Sequence, residues 1–156
     1  MLPPHAYEQA RVNATEHAQV EVLHVARPAP DVDNDGGAFG ACRVDARVVR
    51  VFRGRLRVGE AVSFEVSCST PDARLPVGGT IWTRVDALDG ARVLEGFFNR
   101  ADAWLEVARD QIYIVPRVRA APYCGPPTGE CVIPPARPMP PSNPLATLWN
   151  RLFESR

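Results

Sequence analysis

The sequence predicts a mainly β domain, and three observations carry that reading. Two alternating segments match each other across one polar turn, an Asp-Gly dipeptide lies between two further apolar runs, and the cysteines are even in number. The chain has 156 residues, which suits one domain of ordinary size. Hydrophobic residues make up 46% and charged residues 23%, close to the globular average, so wholesale disorder is excluded.

Residues 42–51 and 60–68 form the first matched pair, around a turn containing Gly54 and Gly59. With Cys42 opposite Cys68, one face pairs Val44 with Val66, Ala46 with Phe64 and Val48 with Val62, and ends on Arg50 with Glu60. The other face pairs Asp45 with Glu65 and Arg47 with Ser63. A slip of one residue would turn one strand's apolar set to the wrong face. Directly opposed Cβ atoms lie about 4.5–5.5 Å apart, slightly beyond the roughly 3.5–4.5 Å of a disulfide, a gap that local twist closes. A Cys42–Cys68 bridge is therefore expected.

Asp89-Gly90 suits the two positive φ angles of a type I′ turn and predicts a second hairpin. Val85 would face Leu94 and Ile81 would face Phe98, with Trp82 beside Phe97 and Arg84 beside Glu95 on the reverse. Both faces are partly apolar, so something should pack on each side. Upstream, residues 18–27 read as a strand whose alternation changes phase between Val22 and Leu23, as a β-bulge causes. Strands near 18–27, 42–53, 60–68, 79–88 and 91–99 are joined by a sixth at 111–115. Residues 104–108 read either as its hairpin partner or as a helical turn. The N-terminal segment 1–17 includes a weakly amphipathic stretch with helical spacing. Residues 1–119 are thus expected to form a five- to six-stranded antiparallel barrel of the OB-type Greek-key kind.

Beyond it, residues 120–143 form a proline-rich extension, with few backbone donors and a preference for extended geometry. Cys124 and Cys131 bracket a Gly-Pro-Pro-Thr-Gly-Glu turn and most simply bridge each other. Residues 144–155 read as an amphipathic C-terminal helix. Asn143 can cap it, Pro144 suits its first position, and Leu145, Leu148, Trp149, Leu152 and Phe153 make its apolar stripe. That stripe either packs back on the barrel or docks on a partner, and it offers a route to oligomers.

Two bridges imply an oxidising compartment. The opening Met-Leu-Pro-Pro-His-Ala has neither a charged n-region nor an apolar h-region. Either a signal was removed upstream or the cysteines are reduced; the Cys42–Cys68 register favours the first, an extracytoplasmic (periplasmic or secreted) protein. No run approaches the roughly 18–20 apolar residues of a membrane span.

Eighteen basic residues balance 18 acidic ones, which argues against nucleic acid as a partner. All the basic residues are Arg, a pattern that codon bias explains. Asp31, Asp33 and Asp35, followed by Gly36, match the opening of an EF-hand calcium loop, but the twelfth position is Cys42 rather than Glu. Calcium is the sole cofactor considered, against a solvated acidic turn. No metal-ligand spacing, nucleophile elbow or phosphate loop occurs, so no enzyme is expected. The candidate binding surface is Trp82 with Phe97, together with Arg84, Arg47, Arg53 and Arg55, unless the two aromatics are buried under the N-terminal segment or the terminal helix; the arginines also offer a place for an anion or glycan ligand.

One stretch carries a resemblance. Val48-Val49-Arg50-Val51-Phe52-Arg53-Gly54, then Val58-Gly59-Glu60 and Phe64-Glu65-Val66-Ser67-Cys68, resembles a strand pair of netrin-like domains. That group contains the tissue inhibitors of metalloproteinases and many small secreted bacterial proteins. Gly78-Gly79-Thr80-Ile81-Trp82 and Asp89-Gly90 fit a later stretch of the bacterial members, so the resemblance spans residues 15–99. It implies an OB-type fold and binding rather than catalysis. The inhibitors chelate their target's zinc through an N-terminal cysteine, and no cysteine precedes Cys42 here, so that mechanism is not carried over. The expected function is a non-catalytic protein-binding or envelope-associated module, with a structural subunit of an extracellular or virion-like assembly as the alternative.

Overall fold

A computed structural model of the chain describes residues 3–30, 36–78, 80–101 and 104–123. Helix α1 (Pro4–Asn13) precedes strands β1 (Glu16–Ala26), β2 (Phe39–Arg53) and β3 (Ala61–Ser69). A two-residue strand β4 (Thr83–Arg84) and a short helix α2 (Val85–Gly90) follow, then β5 (Val93–Ala101) and β6 (Trp104–Val115). Five of the strands close into a barrel in the ring order β1–β2–β3–β6–β5, and β4 is added beside β3. Residues 124–156 lie outside the described residues, and with them Cys124, Cys131 and the stripe Leu145, Leu148, Trp149, Leu152 and Phe153. Asp31, Asp33 and Asp35 lie outside them too.

The inward faces follow the period of two. Val44, Ala46 and Val48 of β2 meet Phe64 and Val66 of β3, with Ala18 and Val20 of β1 and Leu94 and Phe98 of β5 completing the core. The Phe64 and Phe98 rings lie 5.1 Å apart in a tilted arrangement. Leu56, in the β2–β3 turn, closes one end, and Val85 and Leu88 of α2 close the other.

Cys42 and Cys68 are bridged, with Cα atoms 5.7 Å apart. The register differs from expectation by two residues: Cys42 pairs with Val66, Val44 with Phe64 and Ala46 with Val62, while Gly40 faces Cys68. A shift of two preserves which side chains face inward, so burial alone does not distinguish the two registers. The bridge is diagonal, and strand twist brings the Cα atoms within the span a disulfide needs. The expected Arg50–Glu60 pair is not formed, because Arg50 faces Gln19 of β1 and Glu60 binds Arg100.

The second hairpin is also corrected. Residues 85–90 are helical, and β5 pairs with β1 on one edge and β6 on the other, which leaves it no edge for residues 79–88. Val85 and Leu88, three apart, both point into the core from one helical turn. Two pairings, β3–β6 and β3–β4, are parallel rather than antiparallel. The first is unavoidable, since strand directions cannot alternate all the way round a closed ring of five.

Other expectations hold. The bulge on β1 appears as a register shift between Val22 and His24, with Leu23 left exposed. α1 lies within the predicted N-terminal segment and starts on a proline at its first turn. β5 is buried on both faces from Val93 to Phe98. Gly54 is required where it stands: its φ is +109°, and a Cβ there would meet Glu16 Oε2 at 1.8 Å. That carboxylate accepts hydrogen bonds from the backbone N–H of Arg55 (2.7 Å) and Leu56 (3.1 Å), and so fixes the β2–β3 turn.

The helical reading of residues 85–90 is checked by two substitutions under denaturant. Leu88→Ala should lower stability by about 2–5 kcal/mol. Gly90→Ala, whose Cβ meets nothing within 4 Å, should stay within about 0.5 kcal/mol. A type I′ turn would reverse that order of sensitivity.

Candidate functional site

Two features stand out from the closed barrel: an open cleft at its parallel seam, and a sealed polar cluster on the opposite flank. The seam is β3 against β6, bridged at one residue pair, Phe64 with Leu105. Beyond that pair β3 continues toward β4, through Cys68 with Thr83 and Ser69 with Arg84. A surface cleft of about 440 Å³ opens there, lined by Glu65 and Ser67 on β3 and by Trp104, Glu106 and Asp110 on β6, with Ala41 behind.

Trp104 is 39% exposed, and the Arg43 guanidinium lies 4.7 Å from its ring centroid. Asp45 orients that arginine, accepting from Arg43 Nε (3.0 Å) and from the Ser63 hydroxyl (2.6 Å). The Ser63 hydroxyl first, and then Arg43, holds the Asp45 carboxyl below its ordinary value near 3.8. The far wall of the cleft is built by an irregularity. Between the pairs Phe98–Val107 and Gly96–Ile112, β5 advances from 98 to 96 while β6 advances from 107 to 112. The excess is turned by Arg109 (φ 49°) and Asp110 (φ 57°), both in the left-handed region. This places the Asp110 carboxylate 3.4 Å from the Ser67 hydroxyl, which donates to it.

The sealed cluster lies beneath α1 and the segment after β6. Glu95 is fully buried, and its Oε1 accepts from His17 Nε2 (2.8 Å) and from the Tyr123 backbone N–H (2.7 Å). Its Oε2 accepts from Gln19 Nε2 (2.6 Å), and Gln19 Oε1 accepts from the Arg119 backbone N–H (2.9 Å). The His17 ring stacks on Phe97 at 3.9 Å. Alongside, Gln111 Oε1 accepts from Arg11 Nε (2.8 Å) and the Tyr113 hydroxyl (2.6 Å), and burial pushes the Tyr113 phenol up. These groups satisfy one another, and they fasten α1 and residues 116–123 to the sheet.

The predicted surface is not assembled. Phe97 is buried against His17, whereas Trp82 is half-buried and lies edge-on to Phe39 at 5.2 Å, away from that stack. The two belong to elements that do not pair, because residues 79–88 form no hairpin with β5. Arg84 binds Asp86 (2.7 Å), and Arg47 is exposed opposite Glu21. Arg53 reaches the Arg11 carbonyl and its guanidinium is lowered by burial. Arg55 is exposed beside Arg57 and Arg100 in a separate basic cleft that also holds Glu60. The residues missed are Trp104, Glu65 and Glu106, brought together by a pairing between strands some forty positions apart in the sequence, and the polar trio on β1 and β5. For the trio a signal existed: polar residues in strands that are apolar on both faces.

The sequence matches no protein-family model and no curated protein. Among the described residues there is no group of three or more His, Cys, Asp or Glu placed to hold a metal ion, and no helix long and apolar enough to cross a membrane.

Glu95→Ala should cost about 3–5 kcal/mol, since it strands buried donors on His17, Gln19 and the Tyr123 backbone. Hydrogen exchange at the Tyr123 amide should accelerate even under conditions where the barrel remains folded. For Asp45, a lowered folded pKa means a stabilising contribution that is fully present above the ordinary value and is lost as pH falls through the folded one. Ser63→Ala should therefore move the Asp45 titration, followed by NMR, upward toward its ordinary value; an unchanged midpoint would remove the hydroxyl as the cause.

Proposed function

We propose that the chain is a non-catalytic, extracytoplasmic protein-binding module built on an OB-type barrel of netrin-like kind. The ring order β1–β2–β3–β6–β5, with a parallel closing pair and a helix between the third and fourth barrel strands, supports the OB-type assignment. The netrin-like resemblance is carried by β2, the turn at Gly54 and β3, and the diagonal Cys42–Cys68 bridge lies at the end of that strand pair. A buried disulfide supports an oxidising compartment.

The observation that carries the binding reading is the contrast between the two polar sites. The buried histidine and carboxylate, His17 and Glu95, face each other in a sealed layer. The open cleft instead offers an exposed indole, a guanidinium already seated on it, and carboxylates at its rim. Aromatic and charged groups around a concavity are the ingredients of recognition.

Thiol trapping tests the compartment. Cells are quenched in acid, the protein is unfolded, and free thiols are alkylated before mass measurement. Cys42 and Cys68 should remain unmodified until a reductant is added. Their quantitative alkylation without reductant would overturn the extracytoplasmic assignment.

A further inference from the structure

Resting on the reading of a binding module, we infer that the seam cleft receives an extended, arginine- or lysine-bearing peptide segment of a partner protein, laid along the edge of β6 beyond Leu105. The first support is backbone geometry. β6 pairs with β5 along one edge, but on its other edge Leu105 is the last residue bridged to a strand among the described residues. On the facing wall, β3 residues 65–67 lie between the bridge to β6 at Phe64 and the bridge to β4 at Cys68. An edge with unpaired N–H and C=O groups is a template for a further strand, and the cleft lies directly against it.

The second support is charge. Pairing of Phe64 with Leu105 places the next residues, Glu65 and Glu106, side by side on neighbouring strands, both exposed. Neither forms an ion pair among the described residues. With Asp110 they put three carboxylates among the cleft's described lining residues, and the one guanidinium seated on it is that of Arg43, which pairs across β2–β3 with Glu65 and lies over Trp104. The nearby cations are engaged: Arg43 is held by Asp45, and Arg100 by Glu60. Arg43 also demonstrates what the Trp104 ring accepts, since a guanidinium lies over its face. An extended ligand alternates its side chains, so residues two apart could meet Trp104 and the Glu65–Glu106 pair while the backbone runs along β6. A polyanion is repelled here; its natural place would be the separate Arg55–Arg57–Arg100 cleft. The contact spans on the order of three to four ligand residues, which places affinity in the range of about 10 μM to 1 mM, as for small transient interfaces.

The test uses the full chain with Trp82→Phe and Trp149→Phe, which leaves Trp104 as the sole tryptophan reporter. The probes are a short end-capped peptide alternating arginine and valine, its glutamate-for-arginine counterpart, the arginine peptide N-methylated at alternate residues, and arginine amide. The arginine peptide should change Trp104 fluorescence saturably, weaken with salt, and slow hydrogen exchange at residues 106–108. Glu65→Gln with Glu106→Gln should weaken it about tenfold or more. The N-methylated and glutamate peptides should bind at least about tenfold more weakly, a comparison made on the unsubstituted carboxylates and so independent of any folding defect. If the N-methylated peptide or arginine amide binds as well as the arginine peptide, strand addition is overturned while a binding cleft remains. If no peptide moves Trp104 but a neutral oligosaccharide, added as a further probe, does, both the peptide ligand and the protein-binding reading are overturned and the cleft is a glycan site. Silence from every probe would sink both.

Discussion

A closed ring of five strands must contain at least one pair of neighbours running in the same direction, and in this barrel that constraint falls on β3 and β6. A parallel pair cannot be joined by a tight turn, so the chain between them has to travel. It does so through β4, α2 and β5, and α2 uses the passage to plug one end of the barrel with Val85 and Leu88. The same constraint makes the seam the barrel's least complete junction, with one bridged residue pair where the antiparallel junctions have many. The cleft, the exposed Trp104 and the facing glutamates all follow from where closure is weakest.

The opposite flank is governed by burial on both faces. β1 and β5 turn Ala18, Val20, Leu94 and Phe98 inward, and His17, Gln19, Glu95 and Phe97 outward beneath α1 and residues 116–123. Polar side chains in such a layer must find partners within it, because losing water without replacement costs on the order of 1–3 kcal/mol per group. Glu95 is the junction: one carboxylate on β5 gathers a ring nitrogen and a side-chain amide from β1 and a backbone N–H from the segment after β6. The polar layer therefore gives the chain leaving β6 a defined path, something an apolar layer would specify less sharply.

How much of this was legible depends on the range of the signal. The strands β1, β2 and β3, the bulge near Leu23 and the Cys42–Cys68 bridge were readable, because each leaves a local alternation or a matched pair of segments. The register was readable only modulo two, since alternation specifies a face and not a partner. Asp89-Gly90 misled because the turn signal competes with a helical one: Val85 and Leu88 are spaced for a helix, and β5 prefers two long strand partners to one short one. Residues 104–115 were ambiguous because the bulge at Arg109 and Asp110 breaks the phase of a single strand. The cleft left no trace, because Trp104 and Glu65 become neighbours only when the ring closes.

The disulfide links these threads. It ties β2 to β3 at the end where β3 leaves β6 for β4, and the residues next to its two cysteines, Ala41 and Ser67, both line the cleft. A bridge across a separation of 26 residues removes on the order of 3–4 kcal/mol of chain entropy from the unfolded state, in the loop-closure account. Its position does something more specific in the folded state. β3 is anchored to β2 by a full antiparallel ladder but to β6 by one pair, so the β3 wall of the cleft is positioned from its β2 side. A covalent tie there holds Glu65 and Ser67 in place without needing the strand pairing that would close the cleft. The same bond that stabilises the barrel thus permits its seam to stay open.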